Sequence, residues 1–109
     1  MSFRIETTPR FEKDAKKLHK RFPKLKEDLT QLIAELKTNP TMGTHLGENI
    51  YKIRMKNSSI VSGKRSGFRV ITYYFVADVL YLVTMYSKSD RENILDKEIK
   101  KIIQEEISK

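Results

Sequence analysis

The sequence predicts an α+β domain whose elements run β-α-α-β-β-β-α, a small, mostly antiparallel sheet with a helical hairpin on one face and a C-terminal helix. Three observations lead there. Two apolar stripes of helical spacing flank Pro23, three later segments are rich in β-branched and aromatic residues, and helical spacing returns after residue 94. At 109 residues without cysteine, the chain is expected to form one domain, 1–109, large enough to bury a core without disulfides.

In order, "FRIET" from Phe3 to Thr7 sets Phe3, Ile5 and Thr7 against Arg4 and Glu6, the alternation of a half-buried strand. Thr8 before Pro9 then reads as an N-cap with proline at the first helical position, and Phe11, Ala15, Leu18 and Phe22 make the first helix amphipathic. Pro23 ends that helix. Leu25, Leu29, Leu32, Ile33 and Leu36 form the stripe of the second helix, which stops before "TNP" at Thr38 to Pro40. A short link between two helices predicts an antiparallel hairpin.

"TMGTHLGEN" from Thr41 to Asn49, with two glycines, reads as a loop. "IYKIRM" is the second strand, and "FRVITYYFV" and "VLYLVTMYSK" form a central hairpin turning tightly at Ala77 and Asp78. "SDRE" at Ser89 to Glu92 fits a capping box, in which serine and the glutamate three residues on satisfy each other's backbone donors. The last helix that it would open buries Leu95, Ile99, Ile102 and Ile103.

Charge is concentrated. Residues 49–77 hold no Asp or Glu, and Lys52, Arg54, Lys56, Lys64, Arg65 and Arg69 within them carry +6 of a net charge of +8. An anionic partner is implied. Absence of cysteine excludes thiol catalysis and cysteine-ligated metals, and His19 and His45 lack metal-ligand spacing, so neither a metal nor a cofactor is expected. Ser66 lacks a nucleophile-elbow context and no histidine follows it, which removes a hydrolase triad. "SGKRSG" is followed by a strand rather than a helix, unlike a P-loop. The apolar run Phe75 to Tyr86 is too short to span a bilayer, and the opening "MSFRIETTPRF" lacks the layout of a secretion signal, so a cytoplasmic protein is expected.

Alternation places Lys52 and Arg54 opposite Tyr51, Ile53 and Met55, and the next strand can bring Arg69 beside them, with Lys88 at the end of the last strand. Like charges facing across strands oppose folding unless an anion neutralises them. Phosphate suits them, through counterion release and the bidentate geometry of arginine.

"NIYKIRM", "GKRSGFRVITYY" and "LYLVTMYSKSDREN", behind two lysine-rich helices, together resemble the RelE/ParE superfamily of type II toxin-antitoxin toxins, most of all its HigB-like, RelE-like branch. The resemblance covers nearly the whole chain. It implies a RelE-like fold, a cognate antitoxin that wraps the toxin, and ribosome-dependent cleavage of mRNA without a metal, leaving a 2′,3′-cyclic phosphate and a 5′-hydroxyl. Neither a membrane nor a small-molecule cofactor is implied.

Carried over by position, Lys52 and Arg54 match the basic strand pair, Arg69 the arginine of the "GxR" strand, and Lys88 the basic residue ending the last strand. These four are the expected catalytic set, with Lys52 as base or proton relay and Arg54 and Arg69 on the phosphate. Lys56, Lys64, Arg65 and Tyr86 are expected to contact RNA. Ser89 stands where related toxins have an arginine, and Leu95 where they have a catalytic tyrosine. Two rival readings follow: a ParE-like gyrase inhibitor without enzymatic activity, against which the basic strand positions argue, and a degenerate toxin that only binds antitoxin, which Ser89 and Leu95 keep open.

Overall fold

The computed structural model describes residues 3–60, 67–75 and 79–107. The elements are β1 (Arg4–Thr7), α1 (Pro9–Arg21), α2 (Leu25–Thr38), β2 (Thr44–Gly47), β3 (Ile50–Met55), β4 (Phe68–Phe75), β5 (Val79–Ser87) and α3 (Asp96–Glu106). The strands form one sheet in the order β1-β5-β4-β3-β2, antiparallel except for the parallel pair β1 and β5. The expected β4–β5 hairpin is therefore central. Its turn at Ala77 and Asp78 lies outside the described residues.

Both faces of the sheet are covered. On one, Phe11 and Leu18 of α1 and Leu25, Leu32 and Leu36 of α2 pack on Ile53, Met55, Phe68, Val70, Leu80, Leu82 and Met85. On the other, Ile99 and Ile102 of α3, with Ile94, pack on Ile50, Ile71, Val83 and Tyr86. Strands buried on two faces lose simple polar-apolar alternation, which accounts for the nearly continuous apolar run in β5. Val83 is the extra residue of a bulge, since Ile71 pairs with Thr84 and Thr72 with Leu82.

Thr8 performs the capping role that its position predicts. Its hydroxyl accepts from Phe11 N at 3.0 Å and donates to Val83 O at 2.7 Å, so one buried side chain starts α1 and fastens it to β5. Thr8→Ala removes both bonds and leaves a buried carbonyl short of a donor. We expect it to cost about 2 kcal/mol, measured by urea denaturation.

Three expectations are corrected. The stretch read as a loop contains β2, giving β-α-α-β-β-β-β-α and placing His45 in a strand, its ring 4.9 Å from that of Tyr51. The strand is short, and a register shift between His45 and Gly47 interrupts its alternation. The turn into β3 uses left-handed backbone at Gly47, Glu48 and Asn49, with φ of 98°, 52° and 64°.

"SDRE" is not a capping box. Ser89 Oγ lies 2.8 Å from Ser87 Oγ, Asp90 holds Arg21 at 2.6 and 3.0 Å, and Glu92 holds Lys88 at 3.2 Å. These contacts leave the box residues engaged elsewhere, and α3 starts at Asp96 with no side-chain cap on it. Leu95 is accordingly not in the buried stripe. It is 68% exposed, while its neighbour Ile94 fills the core at 5%.

Candidate functional site

The α3 cluster stops partway along the sheet. Beyond it, on the same face as Ile50, alternation brings Lys52 and Arg54 of β3, with Arg69 of β4 directly paired to Arg54 and to Tyr86 of β5. Lys88 follows the end of β5, its backbone N donating to Gly67 O at 2.9 Å. Strand register thus gathers the four cations expected to be catalytic.

Their mutual proximity registers electrostatically. Partial burial, then repulsion from Lys88, Arg69 and Arg54, pulls the Lys52 ammonium below its ordinary pKa, and only Glu92 opposes. Burial and Arg54 likewise pull Arg69 down. Arg69 lies on the floor of the cluster, 3% exposed, with Nη1 donating to Phe68 O at 3.2 Å. Arg54 is exposed, and its guanidinium makes no hydrogen bond or ion pair among the described residues.

One wall is the segment 88–95. Lys52 Nζ donates to Asn93 Oδ1 at 2.8 Å, and Lys88 Nζ donates to Glu92 O at 2.9 Å and Glu92 Oε1 at 3.2 Å. Asp90 is pinned to α1 through Arg21, and Arg91 to α3 through Glu98 at 3.0 Å. Arg91 also covers the Tyr86 ring, with its guanidinium carbon 5.5 Å from the centroid.

Tyr86, expected to touch RNA, is instead 6% exposed, and its buried hydroxyl has no hydrogen-bond partner among the described residues. Burial raises its pKa against the pull of Arg69 and Arg91. The large ring completes the α3 core, which draws it inward. Lys56 is exposed beyond the end of β3 and borders a shallow pocket with Asp28, Gln31 and Glu35 of α2. It is not among the cations that depress Lys52. Lys64 and Arg65 lie outside the described residues. Sequence reasoning assigned Glu92 to a helix cap and gave Asn93 no role; only the folded segment shows both beside the lysines.

Comparison with known proteins gives the class, a toxin of a toxin-antitoxin pair. Residues 3–108 match the family described as the RelE toxin of the RelE/RelB toxin-antitoxin system. The chain belongs to the RelE toxin family and so is the toxin half of a type II pair, with an antitoxin as partner. Among solved structures it is similar to an arginine-to-alanine double mutant of the E. coli toxin RelE in the free state. The match has 19% identity and a TM-score of 0.59 over 84% of this chain and 90% of that one, a likeness of fold. No curated protein matches the chain. No helix among the described residues is long and apolar enough to cross a membrane.

Proposed function

We propose that this toxin is a metal-independent, ribosome-dependent mRNA endonuclease. The observation that carries the reading is the gathering of Lys52, Arg54, Arg69 and Lys88 at one end of the sheet, where the first is held below its ordinary pKa by burial and by the other three. Cations that repel one another are relieved by an anion, and a phosphodiester on a strand of RNA supplies one. The 2′-hydroxyl attacks the neighbouring phosphorus. Arg54 and Arg69 stabilise the charge that develops on the phosphorane, Lys88 adds to the field, and Lys52 relays a proton. An acidic antitoxin segment laid over the same cations would block RNA by exclusion and neutralisation.

The test is to incubate purified protein with translating ribosomes and map the mRNA ends. We expect cuts that leave a 2′,3′-cyclic phosphate and a 5′-hydroxyl, relieved by the antitoxin. Binding of uncleavable RNA should weaken with salt at a log-log slope of about −3, the release expected for four contacts to a single strand. Intact mRNA with inhibited gyrase would favour the ParE-like reading. Intact mRNA and untouched gyrase, with antitoxin still bound, would favour the degenerate one.

A further inference from the structure

Glu92 is a carboxylate set among these cations, and the fold gives it no structural reason to be there. Its side chain is 90% exposed, so it packs against nothing, and its ion pair with Lys88 is of the surface kind that contributes little to stability. In a phosphate-binding cluster, a negative charge weakens binding. Its position is nevertheless fixed from two sides. Lys88 Nζ holds both the carboxylate and the backbone carbonyl of Glu92, at 3.2 and 2.9 Å, and the next residue, Asn93, is bonded to Lys52 Nζ at 2.8 Å.

We infer that Glu92 is the proton acceptor of the cleavage reaction, taking the proton of the attacking 2′-hydroxyl. The inference rests on the endonuclease reading above. As the 2′-oxygen bonds to phosphorus, the bond from phosphorus to the 5′-oxygen breaks. The 2′-hydroxyl proton passes to the Glu92 carboxylate, and the Lys52 ammonium gives a proton to the departing 5′-oxygen. The products are the 2′,3′-cyclic phosphate and the 5′-hydroxyl, and water returns the proton from Glu92 to Lys52.

This division suits the two groups. A lysine must fall about three pH units or more below its ordinary range to be a free base at neutral pH, whereas a carboxylate is ionised there. The pull on Lys52 instead makes its ammonium a better acid. The charged and titratable groups around Glu92 are Lys88 and Tyr86 of the β5 end, Lys52 of β3, and Asp90 and Arg91 of its own segment. Among them, Lys52 and Tyr86 both respond to its charge.

The test compares wild type, Glu92→Gln and Glu105→Gln for single-turnover cleavage across pH. Binding is measured separately, with an RNA lacking the 2′-hydroxyl at the cut. Glu92→Gln should cleave about 10²-fold more slowly, lose the fall in rate toward low pH that a carboxylate base imposes, and bind the uncleavable RNA at least as tightly. Glu105→Gln, on the exposed face of α3 near its C-terminus, should cleave like wild type. An active wild type with Glu92→Gln cleaving equally fast, or slower with the pH profile intact, overturns the role of Glu92 and leaves the endonuclease reading standing. A wild type that cuts nothing overturns both.

Discussion

Arg69→Ala is expected to abolish ribosome-dependent cleavage, with a loss of about 10³-fold, because it removes a fixed cation from beneath the reacting phosphate. Arg69 lies in β4, the middle strand of five, paired to Arg54 on one side and Tyr86 on the other. Neighbours on both sides fix its backbone. At 3% exposure, little water screens its charge. Arg69→Lys keeps the charge but not the planar fork, and should recover part of the activity.

Arg69→Met separates catalysis from folding. Burial and Arg54 lower the pKa of Arg69, so the unfolded chain holds that proton more tightly than the fold does. A neutral side chain of similar length removes that repulsion together with the guanidinium's bond to Phe68 O. Arg69→Met should still unfold cooperatively in urea, yet be inactive. Wild-type cleavage by a folded Arg69→Ala protein would take Arg69 out of the site.

What the sequence made legible was local. The bounds of β3 and the cap at Thr8 depend on neighbours within a few residues, and alternation along β3 with an acid-free run through β4 was enough to bring Lys52, Arg54 and Arg69 together. The misreadings have distant causes. Asp90 and Asn93 are drawn to Arg21 and Lys52, residues far away in the chain, and no local pattern announces such contacts against a well-formed capping box. The bulge at Leu46 removes from β2 the period by which a strand is recognised. Tyr86 carries a polar group on a large apolar ring, and whether ring or hydroxyl decides its burial depends on where α3 packs.

Gly67→Ala should cost about 3 kcal/mol and reduce cleavage with it, because three strand ends of the site meet at this bare Cα. A Cβ at Gly67 would collide with the carbonyl oxygen of Met55 and come within 3.2 Å of Asn57 N. Both are backbone atoms, so neither can turn aside as a side chain could, and the end of β3 must move away from the start of β4. The carbonyl of Gly67 accepts the Lys88 backbone N at 2.9 Å, and the next residue, Phe68, pairs with Met55 and Ser87. The collision therefore shifts Arg54, Arg69 and Lys88 relative to one another, and a misplacement of ~1 Å in such a site can cost about 10²-fold in rate. Gly47→Ala is the control. Its φ of 98° strains any L side chain by about 1–2 kcal/mol, but nothing lies within 4 Å of the added Cβ, and the turn it sits in is at the sheet edge. Stability in urea should fall for both variants and cleavage by folded protein only for Gly67→Ala; equal cleavage by the two would show that close approach at Gly67 serves the fold alone.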